Sequence, residues 1–373
     1  MGGKATKLTM ADIVIFVALS IFMVSENSIM KKCLLPVLLL TALSPVFAQP
    51  QARLVKEEFL MEKPPVPAAH ASTITELPGG ELMASWFGGS RESAPDVCIY
   101  TSVFSKGKWS APEIAATGVV NETTRYASWN PVLFLSRQRR LFLFYKVGPN
   151  PREWWGLMKT SIDNGHTWSA AQRLPDSILG PVRNKPVQLK DGSILHPSST
   201  ESLDEKVWNA HVEISDSTGH HWQRIAIDCD TFGVIQPSIL FHRGNRLQML
   251  LRSRQNVIVQ SWSGNNGRSW SPLTRQHMLN PNSGIDAVTT RNGWQVLVYN
   301  PAIAGKDWSD GRNELRVAVS RDGENWKDVY ELEKHEKGEF SYPAIIQSKD
   351  GLLHITYTYN RQNIKHVVLK LKK

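Results

Sequence analysis

The chain has 373 residues, 41% apolar and 21% charged, with a formal net charge of +9 at neutral pH. That composition supports a sizeable core, as one large all-β domain or two ordinary ones, and excludes an intrinsically disordered chain. Beyond the leader described next only Cys98 and Cys229 remain, expected as buried free thiols, so no disulfide framework is foreseen. No CxxC or HExxH spacing points to a metal site.

Residues 1–48 read as an export leader. Met30-Lys31-Lys32 form a basic n-region, residues 34–43 an apolar h-region, and Val46-Phe47-Ala48 a cleavage site after Ala48. Met30 is then the expected start, with residues 1–29 expected as an upstream translation artefact. The apolar run 13–24 is too short to span a bilayer comfortably. No stable membrane span is expected in the mature protein, whose expected place is the periplasm or the cell exterior. Loss of Lys4, Lys7, Lys31 and Lys32 with Asp12 and Glu26 takes the charge from +9 to +7. A basic exported chain suits anionic ligands such as acidic sugars, anionic glycans or lipid headgroups; a solvated surface with a mild lysine excess gives the same number. Nucleic acid is disfavoured by the leader and by the lack of a basic run.

An internal period organises the rest. Ser161-Ile162-Asp163-Asn164-Gly165-His166-Thr167-Trp168 fits S-x-D-x-G-x-x-W at every defined position. The run from Ser215 to Trp222 repeats it with Ser217 in place of the aspartate. The run from Ser263 to Trp270 has Asn265 there, and the run from Ser320 to Trp326 is one residue shorter. Ser105-Lys106-Gly107-Lys108-Trp109 is a worn fifth copy. The tryptophans fall at 109, 168, 222, 270 and 326, separations of 59, 54, 48 and 56. A period of this length in β-type sequence means one four-stranded propeller blade per repeat. In each turn the Asp or Asn accepts backbone N–H groups, the glycine supplies a positive φ, and the tryptophan folds back between sheets. The boxes therefore report architecture and carry no chemistry.

Out of phase with the boxes run six inner hairpins: 71–77 with 82–86, 131–135 with 141–145, 186–189 with 194–196, 237–241 with 247–251, 285–289 with 294–299, and 343–347 with 352–358. Turns such as Asp191-Gly192, Asn292-Gly293 and Asp350-Gly351 join them. The last repeat holds only three strands, 343–347, 352–358 and 364–369, while the early strand 53–60 has no repeat of its own. The pattern predicts an all-β, six-bladed β-propeller with Asp-box turns over 49–373. Strand 53–60 is expected to complete the last blade and close the ring, which removes open sheet edges.

From about His70 to the C-terminus these features resemble the sialidase, or neuraminidase, superfamily, and in particular the bacterial sialidase-like branch of BNR-repeat proteins. The resemblance implies chemistry at the starts of the inner strands and on the loops after them. It implies three arginines for a substrate carboxylate, a tyrosine nucleophile activated by a glutamate, and an aspartate acid/base. The family's last blade opens with Tyr, two small residues and an aliphatic, which falls on Tyr342-Pro343-Ala344-Ile345; Tyr342 is thus implied as the nucleophile. A neutral phenol avoids the repulsion that a carboxylate would meet at an anomeric centre bearing its own carboxylate; packing in the channel is the plain alternative. The blade-five arginine falls on Arg312-Asn313-Glu314-Leu315. The blade-four arginine falls on Arg252 or Arg254, which lie on one face of a strand, so that either serves. A planar guanidinium fork suits a carboxylate, and surface salt-bridging is the competing role.

Some positions depart from the family pattern. His70-Ala71-Ser72 stands where the first arginine belongs. Gln236-Pro237-Ser238 stands where the glutamate belongs, and neutral Gln236 cannot take a proton from Tyr342; Glu201 and Glu339 are the substitutes from neighbouring loops. Glu92 falls at the acid/base, with Asp96 next in line. A partly buried glutamate can protonate a leaving group, and an ordinary loop carboxylate is an equal alternative. Polar and aromatic loops surround these positions. Arg152, Trp154, Glu201, Asp286 and His70 are expected to touch the substrate, as flat faces and fixed polar groups do in sugar sites. The reading is an exported exo-α-sialidase-like glycoside hydrolase acting on a terminal acidic sugar, sialic acid or a relative. A monomer is expected, with no metal or organic cofactor. The alternatives are a non-catalytic glycan-binding propeller and an acidic-polysaccharide lyase on the same fold.

Overall fold

Twenty-five short strands carry the chain through six sheets, and no α-helix occurs among the described residues. This computed structural model describes residues 51–372; the expected leader lies outside them. Blade one runs outward from Ala68–Glu76 through Leu82–Gly89 to Cys98–Ser105, which pairs with both Lys108–Trp109 and Glu113–Ala116. Blades two to five begin on the inside at Ala127–Leu135, Val187–Gln188, Val234–Phe241 and Asp286–Thr289. Blade six begins at Phe340–Gln347, continues through Leu353–Tyr359 and Asn363–Lys372, and takes Gln51–Phe59 as its fourth, antiparallel strand, Gln51 opposite Lys372. The early strand closes the ring as its orphan status in the sequence required, and the fold is a six-bladed β-propeller.

The second strands Leu82–Gly89 and Leu141–Gly148 are buried along their whole length. They sit between sheets on both faces, which is why they read as continuous apolar runs rather than alternating ones. Cys98 and Cys229 are buried and unbridged.

The box turns are held by their own side chains. Asp163 Oδ1 accepts Thr167 N at 2.9 Å and Ser161 Oγ at 2.7 Å, while Ser161 Oγ accepts Gly165 N at 2.8 Å. Gly165 has φ +87°, and a Cβ there would fall 2.3 Å from Met83 Cε of blade one, so only glycine fits. Trp222, Trp270 and Trp326 each donate Nε1 to the carbonyl of their box glycine at 2.9 to 3.1 Å. The second box differs from the sequence expectation. Its acceptor is not missing at Ser217 but moved one residue earlier: Asp216 Oδ1 accepts Thr218 N at 2.8 Å and His220 N at 3.0 Å.

Four inner strands slip register once near their starts, between His70 and Thr73, Trp129 and Val132, Ile235 and Ser238, and Ser341 and Ala344. In each slip one residue adopts left-handed backbone: Ala71 (φ 53°), Asn130 (38°), Gln236 (55°) and Tyr342 (53°). Such residues are strained, and a bulge of this kind re-aims a side chain. Proline follows three of the four, at a place where no ladder N–H is needed. Gln236 and Tyr342, from blades four and six, consequently reach the same arginine.

Deleting residues 51–59 strips the edge of Asn363–Lys372. The truncated protein is expected to melt at a lower temperature and to associate with rising concentration in size-exclusion chromatography. An unchanged melting temperature and a monodisperse peak would contradict this role of the closing strand.

Candidate active site

The phenol of Tyr342 stands among arginines from four blades. Arg252, near the end of Leu247–Ser253, donates from Nη1 to Tyr342 Oη at 2.8 Å and to Gln236 Oε1 at 3.1 Å; its Nε donates to Asn282 Oδ1 at 2.9 Å. Arg312, just before Glu314–Ser320, has its guanidinium 5.8 Å from the Tyr342 ring centre. Arg183, in the stretch before Val187–Gln188, lies 5.2 Å from that centre and donates Nη2 to Pro343 O at 2.6 Å. Arg361, in the turn between Leu353–Tyr359 and Asn363–Lys372, donates Nε to Glu339 Oε2 at 2.7 Å and pairs with Glu92. At Gly284 a Cβ would come within 3.2 Å of Tyr342 Cγ and 3.3 Å of Arg183 Nε. A larger residue there would push phenol and guanidinium aside.

Glu339 lets this many cations coexist. Its Oε1 accepts Arg312 Nη1 at 3.0 Å and Ser341 Oγ at 2.8 Å, while its Oε2 holds Arg361. Burial pushes its carboxyl up, but Arg361 and Arg312 together hold it below the usual carboxylate range. Four guanidiniums against Glu339 and Glu92 leave positive charge in excess. Arg183 Nε and Arg312 Nε are buried and have no hydrogen-bond partner among the described residues. Unpaired buried donors are costly, and both belong to guanidiniums gathered around the Tyr342 ring.

The same charges set the protonation of their neighbours. Burial raises the Tyr342 phenol, but Arg252 and Arg312 outweigh it, and the pKa falls below the ordinary tyrosine value. Burial, then Arg361, Arg312, Arg183 and Arg252, hold His70 well below the usual imidazole range, so it is neutral. Its ring lies 4.3 Å from that of Tyr342, and its Nδ1 is 2.9 Å from Thr358 Oγ1.

The other sequence-derived candidates separate into two groups. Gln236 shares the Arg252 Nη1 donor with Tyr342, so the expected glutamate position does face the phenol. Glu92 is at the mouth, paired with Arg361. Glu201, on the same face of its strand as Ser199, whose Oγ accepts Gln236 N at 3.2 Å, has no side-chain hydrogen bond of its own in this structure. Burial pushes its carboxyl up against the opposing pull of Arg252, Arg152 and Arg254. Glu201, Arg152 and Trp154 line a cavity of about 250 Å³ between blades two and three.

Three candidates are placed otherwise. Arg254 lies beyond the end of Leu247–Ser253, so the face-sharing argument fails; it is exposed, stacks 4.1 Å from the Trp208 ring and donates to the carbonyls of Glu205 and Lys206. Asp96 caps its own loop by accepting Ser90 N and Ser90 Oγ, both at 2.9 Å. Asp286 is buried with both oxygens engaged: Oδ2 by Lys185 Nζ at 2.7 Å and Ile345 N at 2.9 Å, Oδ1 by Ser238 Oγ and Ala287 N at 2.9 Å. It pins four blades together and offers nothing to a ligand. His70, expected to touch the substrate, is buried one residue before the left-handed Ala71 and packs on the Tyr342 ring.

Sequence reasoning missed Arg183, three residues ahead of the hairpin strand 186–189, and Trp308, an exposed indole 5.1 Å from the Arg312 guanidinium and 4.5 Å from that of Arg361.

Replacing Arg252 with Gln is expected to raise the Tyr342 pKa. Titration of ¹³Cζ-tyrosine resonances by NMR, with Tyr342→Phe for assignment, checks this; an unshifted midpoint would show that Arg252 does not control the phenol.

A family model described as "BNR repeat-like domain" matches residues 80–355. No curated protein matches the sequence. Solved structures share the fold. A protein of unknown function from Dyadobacter fermentans DSM 18053 superposes with a TM-score of 0.69 at 15% identity, covering 86% of this chain and 100% of its own. A point mutant of the NanB sialidase from Streptococcus pneumoniae gives 0.65 at 11%, covering 82% and 69%. The Trypanosoma rangeli sialidase gives 0.64 at 14%, covering 84% and 59%. With the family model spanning most of the propeller and the six blades closed around one axis, the chain belongs to the BNR repeat-like family, as a sialidase-like β-propeller.

Proposed function

We propose that the chain is an exported exo-glycosidase of sialidase type that removes a terminal acidic sugar, sialic acid or a relative, from a glycan. One observation carries the reading: Tyr342 meets Arg183, Arg252 and Arg312 in a site with excess positive charge and two unpaired guanidinium donors. The sugar carboxylate lies against these three arginines, Arg183 taking the part of the arginine that blade one lacks. Tyr342, its phenol proton released to water before the substrate binds, attacks the anomeric carbon through the phenolate oxygen as the bond to the leaving oxygen breaks. That oxygen takes a proton from Glu92 or Glu201, and water activated by the same carboxylate then releases the sugar.

Gln236 accepts no proton from Tyr342, and both oxygens of Glu339 are engaged with Arg312, Arg361 and Ser341. Ionisation of the phenol is instead favoured by the guanidiniums, which stabilise phenolate by their field. Gln236 also supports a second reading, a glycan-binding propeller without turnover.

The purified protein is to be assayed against sialosides and uronic-acid-terminated glycans. Free acidic sugar is expected, with kcat lowered at least ~10³-fold in Tyr342→Phe, as for loss of a nucleophile. Equal activity of the two proteins would remove Tyr342 from the mechanism. Binding without turnover selects the second reading, and an unsaturated, ultraviolet-absorbing product selects a lyase. Whichever of Glu92→Gln and Glu201→Gln loses activity identifies the proton donor.

A further inference from the structure

Blade three has an inner strand of only 2 residues, Val187–Gln188, where blades one, two, four and six have 8 or 9. The stretch 179–186 that delivers Arg183 to Tyr342 therefore lacks a ladder partner. Its first four residues, 179–182, are nonetheless held through their backbone groups. Glu213, fully buried in Trp208–Ser215, accepts Leu179 N through Oε1 at 2.9 Å and Gly180 N through Oε2 at 2.6 Å. Lys146, fully buried in Leu141–Gly148 of blade two, donates Nζ to Pro181 O. Val182 N donates to Pro197 O at 3.1 Å. Gly180 has φ +68° and a Cβ there would meet Leu174 Cδ1 at 3.0 Å, so the turn is tight as well as anchored.

We propose that Lys146 and Glu213 are positioning residues for Arg183: they clamp residues 179–181 from blades two and three and so fix where the guanidinium stands against Tyr342. The inference rests on the acidic-sugar reading of the site. Two fully buried charged side chains away from the mouth are otherwise hard to account for, since burying an ion is expensive unless it is paired and hydrogen-bonded.

The clamp is sensitive to pH. Burial draws the Lys146 ammonium down to about 7, against the opposing attraction of Glu213. The titratable groups facing the pair are His196, paired across the strands with Glu213, and His211, whose Nε2 is 2.9 Å from Glu213 Oε1. His196 is held neutral, by burial first and by Lys146 second. Opening the clamp would return Lys146 toward its ordinary pKa, so the open form holds the extra proton; as pH rises through neutrality the cost of keeping a buried ammonium disappears, the neutral amine still donates to Pro181 O, and the clamp tightens.

Amide hydrogen exchange of residues 179–183, corrected for intrinsic rates, is to be measured from pH 6 to 8 on wild type, Lys146→Met and Glu213→Gln, together with calorimetric binding of N-acetylneuraminic acid and glucuronic acid. Thermal melts verify that each variant is folded. Protection is expected to rise with pH above neutrality in wild type, and to be low and pH-independent in Lys146→Met. Acid-sugar affinity is expected to drop about 10- to 100-fold in that variant, the worth of one misplaced charge-assisted hydrogen bond, as in Arg183→Met. Unchanged protection and a flat wild-type profile would overturn the clamp. If wild type binds neither sugar, the acidic-sugar reading fails on its own, and the exchange data still decide whether Lys146 and Glu213 hold the segment. Should Lys146→Met not fold, Glu213→Gln and the wild-type pH series decide it.

Discussion

Mutual repulsion of like charges is the constraint around which the mouth is built. Guanidiniums brought together in a partly buried place repel far more strongly than in water. Glu339 bridges Arg312 and Arg361, and Glu92 takes a second bond from Arg361. Aromatic faces do the rest: Trp308 lies under Arg312 and Arg361, and Trp208 lies 5.8 Å from Arg252. Such stacks orient a cation without neutralising it. The remaining field draws the phenol of Tyr342 toward ionisation and keeps His70 neutral, so one surplus of charge sets both groups.

Only a closed ring can assemble that surplus, because residues 92, 183, 252, 312, 342 and 361 come from five different blades. Closure by Gln51–Phe59 and the pin at Asp286 act together. The pin takes bonds from Lys185 of the blade-three approach, Ser238 of blade four and Ile345 of blade six, directly below the bulges that turn Gln236 and Tyr342 toward Arg252. Strain at those left-handed residues is concentrated where the chemistry is proposed, as is common for functional sites.

What the sequence made legible follows from how local each feature is. An Asp box is held by bonds within one turn, so Asp163, Asn265 and Asp322 announce their blades on their own, and six inner hairpins with an orphan early strand were enough to infer closure. Tyr342, Arg252 and Arg312 were reached only through the family resemblance, and the structure brings the three together. Arg183 escaped because the strand after it pairs over only two residues, Val187–Gln188, so the chain carrying Arg183 runs ahead of the ladder where strand alternation says nothing of where a side chain points. Arg254 misled because alternation holds only inside a strand, and Leu247–Ser253 ends one residue before it. Asp286 misled because a carboxylate pinning blades and one awaiting a ligand look alike until their partners are known. Ser217 misled because a neighbouring side chain, Asp216, supplies the same acceptor.

The central claim, that convergent guanidiniums present a carboxylate to Tyr342, is tested most directly by a high-resolution crystal structure of the protein soaked with N-acetylneuraminic acid. The account predicts a carboxylate bonded to the guanidiniums of Arg183, Arg252 and Arg312, with the anomeric carbon facing Tyr342 Oη. An acid bound away from these arginines, or one whose carboxylate turns to solvent, would contradict it.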